Sequence, residues 1–509
     1  MKRMYVLLFV MLLSSTMMAK DLVRISYSGR AELEKVFNDP NLTIHYYTND
    51  AVFATAERFD PNTMVLIDHQ AFADNEVYTL VYCPQTEQQA YLSDDDALLQ
   101  TDDYVIVKGS VMPYKNDGAV AIFNKEARLP RISRDFPQVT EENPVIREML
   151  DQVDQNELEA NVQHLQDYGN RLWNSDNAYA ASDWIASQMR ALGLEVEQMP
   201  FDFNIGIGND PAPNVIGIQR GTLYPDTYVV CGSHFDSFSY EALLGLGDAP
   251  GADDNATGVS TVLESARILT QYEFEYSIVY CTFGTEELGL YGSEAYASRC
   301  QQQGMDIIGY FNNDMNGYLR EGDPIHIDCI YPDAVEPIGE FYRNIGSVYF
   351  PDLPIRHVTF SEGDSDHTSF CNHGYLGIFP FEDYENYSPN IHTPNDLIGP
   401  SVNDFKNMQQ FCQMNVACLA ECARVQSTPV DEMETVKAMV YPNPAANQLK
   451  VKAEGMQRIS VYNAMGQQVE TIEVGGDQFT LQVGDYAPGL YMIQVATGNC
   501  IVTRSVIVK

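Results

Sequence analysis

Basic residues are scarce in this chain. Lys and Arg number 30 against 71 Asp and Glu, giving a formal net charge of -41 over 509 residues. A nucleic-acid groove needs clustered cations facing phosphate, so nucleic acid is excluded as the main partner. A basic membrane-docking face is excluded on the same ground, and the acidity itself favours solubility. No CxxC pair occurs among the ten cysteines, which argues against a dense disulfide framework. Cys231, Cys281, Cys329 and Cys371 sit in or near apolar runs and read as buried free thiols. Cys412, Cys418 and Cys422 share one apparent helix, and no bridge is assigned. Beyond the first residues no apolar run reaches the length of a spanning helix.

What is present begins with "MKRMYVLLFVMLLSSTMMAK". A basic start, a short apolar run and small residues near Ala19 predict an export signal over residues 1–19. The mature protein is therefore expected to be exported, with no membrane span. Hydrophobic residues make up 45% of the chain, enough for a large core in more than one domain.

Residues 20–139 read as a β-rich accessory or propeptide-like domain. "LTIHYYTND", "TMVLIDH", "EVYTLVYC" and "DDYVIVKGS" are short β-branched and aromatic runs split by turn residues. Over residues 140–428 helical periodicity alternates with strands: "TYVVCGSHFDS", "GVSTVLESARILTQY", "YSIVYCTFG", "LYGSEAYASRCQQQ", "IIGYFNNDMNG". This alternation predicts an α/β fold, a mixed β-sheet sandwiched by helices, with ligands gathered beyond the carboxyl ends of the strands. "FKNMQQFCQMNVACLAECARV" reads as a closing helix. Residues 429–435 lie in a polar linker, and residues 436–509 form a small β-rich module, read as a β-sandwich.

The stretch "CTFGTEELGLYG" places two carboxylates, Glu286 and Glu287, side by side after a buried strand. Four other segments put an acid or a histidine at a strand end or adjoining loop: "CGSHFDS" (His234, Asp236), "GADDNATG" (Asp253, Asp254), "FNNDMNG" (Asp314) and "NIHTPND" (His392). Two imidazoles with several carboxylates suit Zn²⁺ or a similar divalent metal. Five such ligands with one shared carboxylate can hold two metals, and Asp253 is the expected shared ligand. Asp236, two residues after His234, is placed to orient a ligand. The glutamates then divide the work: Glu287 binds metal, and Glu286 stays free as general base beside a metal-bridged water.

Taken together, "SHFDS", "GADDNATG", "GTEELG", "NNDMNG", "SDHTSF" and "IHTPND" make residues 140–428 resemble the M28 family of co-catalytic zinc peptidases, which includes secreted bacterial leucyl-type aminopeptidases. The resemblance implies two Zn²⁺ per chain. His234, Asp253 and Asp314 would serve one metal. Glu287, His392 and the shared Asp253 would serve the other. Glu286 would be the catalytic base and Asp236 its support. It implies a substrate-lining or supporting role for Asp366 and His367 in "GDSDHTSF". The alternative is that the two merely satisfy each other in a loop. Some members carry a tyrosine just before this motif to stabilise the oxyanion; here the stretch reads "TFSEGD". The remaining histidines, His45, His69, His164, His326, His357 and His373, read as core or surface residues.

The C-terminal pieces "VYPNPAANQLKV", "VYNAMGQQV" and "PGLYMIQV" resemble the sorting domain of bacterial type IX secretion cargo. This implies secretion machinery as a partner and a secreted or cell-surface location. The chain as a whole is expected to be a dizinc aminopeptidase acting on peptide substrates. The rivals are a single-zinc glutaminyl cyclase, for which the His234–Asp314 half would be superfluous, a carboxypeptidase, and a non-catalytic binding protein on the same fold.

Overall fold

The computed structural model describes residues 20–48, 50–72, 76–83, 88, 91, 97–111, 118–203, 210–359, 364–426, 438–463, 467–497 and 501–509. The expected export signal (1–19) and linker (429–435) lie outside the described residues. The chain divides into two compact units, 1–426 and 427–509.

The first unit opens with two small antiparallel sheets. One contains β1 (Lys20–Ser26), β2 (Leu42–Tyr47), β3 (Ala51–Ala56) and β4 (Val65–Ala71) in the order β2-β3-β1-β4. The other contains β5 (Tyr78–Tyr82), β6 (Ala97–Gln100), β7 (Tyr104–Lys108) and β8 (Gly118–Ile122) in the order β6-β7-β5-β8. Strand residues alternate between faces, and the alternation shows what each face meets. Phe53 joins Tyr78, Leu80 and Ile106 of the second sheet in one core. Its neighbours Val52 and Ala54 join a different core, with Val215, Val229 and Val259. The first sheet is thus packed on both sides, and the expected boundary near residue 139 is not a break in packing.

The centre of this unit is an eight-stranded mixed sheet. Its strands are β9 (Glu195–Met199), β10 (Asn214–Gln219), β11 (Tyr224–His234), β12 (Tyr276–Phe283), β13 (Asp306–Asn312), β14 (Ile327–Ile330), β15 (Ile355–Val358) and β16 (Gly377–Phe381). The order is β15-β14-β16-β13-β11-β12-β10-β9, and β16, β13, β11 and β12 run parallel. All eight residues of β12 are buried, as expected of a central parallel strand covered on both faces. Val229, Cys231, Ile278 and Tyr280 face one apolar layer. Val230, Val279 and Cys281 face the other.

Helices α1 (Arg30–Phe37), α2 (Pro144–Leu150), α3 (Gln155–Gln166), α4 (Asp176–Ala191), α5 (Tyr240–Leu243), α6 (Gly258–Leu269), α7 (Tyr291–Gln303), α8 (Glu336–Tyr349), α9 (His367–Asn372) and α10 (Phe405–Cys422) complete the unit. Residues of α3, α4, α6, α8 and α10 supply the first layer. Residues of α7 and α9 supply the second. The helices start where capping chemistry allows. Ser175 accepts the amide of Ala178 at the head of α4, and Asp404 accepts those of Lys406 and Asn407 at the head of α10.

The second unit is one antiparallel sheet of β17 (Met439–Tyr441), β18 (Gln448–Asn463), β19 (Gln468–Gln482), β20 (Gly489–Thr497) and β21 (Ile501–Val508). The long β18 pairs with β19 along its length, with β17 near its start and with β20 near its end. Breaks in register between Lys452 and Arg458 let the sheet bend. It encloses its own core of Leu449, Val451, Ile459, Val461, Ile493 and Val506.

Candidate metal centre and active site

Three parallel strands end at one place. His234 is the last residue of β11, and its register partner on β12 is Phe283. The chain leaving β12 therefore turns through Glu286 and Glu287 at the level of His234. Asp314 lies just beyond β13. Asp254 arrives from the crossover between β11 and β12, and His392 from the loop after β16. Thr285, Met315 and His392 all hold left-handed backbone, with φ of 60°, 50° and 55°. Such residues cost roughly 1–3 kcal/mol each and persist only where surrounding structure fixes them. Here each is a site residue or adjoins one.

The two imidazoles converge on one carboxylate. His234 Nε2 lies 3.2 Å from Asp254 Oδ1, and His392 Nε2 lies 3.1 Å from Asp254 Oδ2. On the first side His234 Nε2 is also 3.4 Å from Asp314 Oδ1 and 3.9 Å from Glu286 Oε2. On the second, His392 Nε2 is 2.9 Å from Glu287 Oε2. The carboxylate between the imidazoles is thus Asp254, not the expected Asp253. The backbone of this turn leaves helical geometry at Asp254, with φ -108° and ψ 90°, and the two adjacent acids meet different partners. Asp253 turns its Oδ1 onto the amide of Gly317 at 3.0 Å and lies beside Glu382 and Asp396.

Asp236 lies against the backbone of the paired glutamates. Its Oδ1 accepts the amide of Glu286 at 3.1 Å, and its Oδ2 that of Glu287 at 3.4 Å. Its backbone carbonyl lies 3.1 Å from His234 Nδ1, leaving Nε2 to face the site. Ser365 Oγ donates to Asp314 Oδ2 at 2.6 Å. Asp366 is fully buried among the site groups, while His367 lies 3.8 Å from Asp364. The two do not pair with each other.

The charges are strongly coupled. Burial raises the Glu286 carboxyl well above the ordinary range; His234 opposes this, and Asp366, Glu287 and Asp314 reinforce it. Glu287 is pushed up to about 7, first by burial and then by Asp254. Asp366 is pushed up to about 7, again first by burial. Burial would also raise Asp254, but hydrogen bonds to both histidines hold it well below the usual range. Burial would lower His234, yet Glu286 and Asp314 raise it well above its usual value. Asp314 Oδ1 and Glu287 Oε1 are buried without a hydrogen-bond partner. Crowded carboxylates, inward-facing ring nitrogens and unpartnered oxygens fit a divalent cation held by N and O donors. His234, Glu286 and Asp314 form one group able to hold such an ion, and His234, Asp254 and Glu287 another.

Three supporting residues escaped the sequence reading. Asp396 accepts the amides of both Asp253 and Asp254, each at 3.0 Å. It is the last residue of "NIHTPND", so an acid in the His392 motif was its only signal. Glu382 accepts the amides of Tyr318 and Ser388. Arg171 is fully buried and laces the loops of the site together. It donates to the carbonyls of Phe235 (2.7 Å), Leu165 (3.0 Å), Pro250 (2.7 Å) and Gly251 (2.8 Å). Gly251 has φ 54°, and a Cβ there would lie 2.4 Å from Ser237 Cβ and 2.8 Å from the Arg171 guanidinium. A third His–carboxylate group, His326, Asp328 and Asp383, lies elsewhere. Arg356 already binds Asp328 there at 2.6 and 2.7 Å, so it reads as a salt-bridge network.

Residues 214–414 match peptidase family M28, and residues 439–509 match the secretion system C-terminal sorting domain. The chain is 28% identical over 317 residues to leucine aminopeptidase 1 of Pyrenophora teres f. teres, covering 58% of this chain and 77% of that one. It is 29% identical over 304 residues to leucine aminopeptidase 1 of Neurospora crassa, covering 57% and 73%. The fold is similar to that of the Legionella pneumophila LapA aminopeptidase (TM-score 0.55, 16% identity, 69% of this chain and 99% of that one). It is also similar to that of LapB from the same organism (TM-score 0.51, 18% identity, 80% and 100%). No helix among the described residues is long and apolar enough to cross a membrane.

Proposed function

Starting from a chain that carries a peptidase family M28 domain, we propose that it is a dizinc aminopeptidase releasing N-terminal residues from peptides. The observation that carries this reading is Asp254 shared between two imidazoles, each with its own further carboxylate. His234 and Asp314 would hold one zinc, His392 and Glu287 the other, with Asp254 common to both. Zinc in this cradle supplies Lewis-acid polarisation of a carbonyl and a lowered pKa for water.

Glu286 is the base. It is the farthest of the three carboxylates around His234 Nε2, which favours a free carboxylate over a ligand. Glu286 takes a proton from the attacking water and returns it to the leaving amine. Asp236 fixes the backbone from which both glutamates project. The charge balance favours an amine over a carboxylate as the group recognised on the substrate. Arg171, whose charge the cluster feels, is fully buried and donates to carbonyls, so it cannot meet a terminal carboxylate. Met315 follows Asp314 and Ile391 precedes His392. With Ile330, Phe379 and Phe381 they form an apolar cluster, a wall suited to an apolar first side chain.

The sorting-domain match supports delivery by a type IX secretion route to the surface or beyond it.

The test combines metal analysis with turnover of leucyl peptides bearing free or acetylated amines. About two zinc per chain, cleavage of the free-amine peptide alone, and zinc retained but turnover lost in Glu286→Gln are expected. Equal cleavage of the acetylated peptide, or cyclised glutamine as the only product, would overturn the reading.

A further inference from the structure

The N-terminal sheets touch the site's machinery from behind at two places. The first is the turn that carries the paired glutamates. Gly289 and Leu290 both donate their amides to the carbonyl of Glu286, each at 2.8 Å. Whatever fixes these two residues therefore fixes the backbone of Glu286. Leu290 holds φ 62° and inserts its side chain, 3% exposed, into the core shared by β5, β7 and β8, beside Tyr78, Ile106, Val120 and Ile122. The amide of Ala121 on β8 donates to the carbonyl of Gly289 at 3.3 Å. Gly289 has φ 122°, and a Cβ there would lie 2.9 Å from that amide, so glycine lets β8 come this close. The next residue, Tyr291, binds Ser110 through its hydroxyl at 2.7 Å and returns its amide to the carbonyl of Thr285.

The second contact is at Asp314. Tyr46 on β2 donates its hydroxyl to Asp364. Asp364 accepts the amide of Ser365 at 3.1 Å, and Ser365 Oγ donates to Asp314 Oδ2. Beside it, the amide and hydroxyl of Tyr47 bind Asn372 and the carbonyl of Cys371, pinning α9. A removable cover would lie across the mouth of the site and leave its walls complete. Here the N-terminal sheets supply part of the walls' support.

We propose that the two N-terminal sheets are a permanent positioning element of the active site, with Leu290 seating the Glu286–Glu287 turn in their core and Tyr46 steadying Asp314 through Asp364 and Ser365. This rests on the peptidase reading for the roles of Glu286 and Asp314. It sets the segment apart from a propeptide whose loss would switch the enzyme on. Leu290 and Tyr46 are positioning residues and do not touch substrate.

The experiment uses the full chain with Leu290→Ala, Leu290→Met and Tyr46→Phe, the last removing one hydroxyl. Turnover of a free-amine leucyl peptide is resolved into kcat and KM, and zinc is titrated into the metal-free proteins by calorimetry. Leu290→Ala should lower kcat about tenfold or more with KM within about threefold, and Leu290→Met should recover most of it. Tyr46→Phe should weaken zinc affinity by about threefold or more, since partners behind a ligand tune its metal. Variants with kcat and zinc affinity within about twofold of the parent overturn the proposal, even if their thermal midpoints fall. An inactive parent chain would count against the peptidase reading instead, and the zinc affinities would then decide this one.

Discussion

The carboxylate of Asp396 accepts the backbone amide of Asp254 at 3.0 Å, gripping from behind the residue whose side chain stands between the two imidazoles. One acid holds the main chain from which the other faces both histidines. Asp396→Asn keeps the shape but leaves one carboxamide oxygen where two amides were bound. Zinc affinity is expected to fall about tenfold, read by competition with a chromogenic chelator.

Asp253 and Asp254 are adjacent acids with opposite expectations. Asp254→Asn removes a charged oxygen from the shared position and should abolish stoichiometric zinc binding. Burial, with Glu382 and Asp396 nearby, raises Asp253 well above the usual carboxylate range, and its Oδ1 accepts the amide of Gly317 instead of facing an imidazole, so Asp253→Asn should retain zinc. Metal analysis of the two purified variants, side by side, separates them.

Glu286→Gln preserves size and the backbone bonds to Asp236. It should keep zinc while lowering kcat by about 10²–10⁴-fold, the usual contribution of a general base. A loss of zinc in this variant would mark Glu286 as a ligand.

Arg171→Met should destabilise the chain by about 3–5 kcal/mol, because it strips a buried cation from four carbonyls and from the carboxylates it faces. Chemical denaturation of metal-free protein would measure this. Arg171→Lys cannot reproduce the planar fork and should recover only part of the loss.

Metal-free protein should lose stability as pH rises. Burial pushes Asp364 and Asp396 up to about 6, and Glu287 and Asp366 to about 7. Each binds its proton more tightly folded than unfolded. The stabilisation is therefore complete below about pH 4, where the unfolded carboxyls also titrate, and is lost as pH climbs through 6 to 7. Each group contributes on the order of 2–4 kcal/mol at most. Thermal midpoints of metal-free protein should fall between pH 5 and pH 8. Zinc should oppose the trend, because it would replace the proton of Glu287 and its charge would favour the ionised form of the acids around it.

Much of this was legible in the sequence. Buried strands such as "YSIVYCTF" and the acids beyond them announced an α/β sheet with chemistry at the carboxyl ends. His234, Glu287, Asp314 and His392 do converge there. The choice between Asp253 and Asp254 was not legible, because two identical side chains in one loop differ only in which way the backbone turns them. Arg171 was hidden for another reason. An isolated arginine in "GNRLWNS" has no periodic partner, and its value lies in carbonyls from segments far along the chain. The shared core of the N-terminal sheets was equally invisible, since alternation in a strand such as "AVFATA" shows two buried faces but not what covers them.

Cys231, Cys281, Cys300, Cys329, Cys371, Cys412, Cys418 and Cys422 are free and buried, and burial raises the thiols of Cys231, Cys300 and Cys371 to about 12. A protein of this kind carries its thiols as sealed cargo. Oxidants cannot reach them while the fold holds, and no disulfide among them is needed to hold it. Redox damage then becomes a second step that waits on unfolding. Heat inactivation should turn irreversible through thiol crosslinking, and a reductant present during heating and cooling should restore much of the activity.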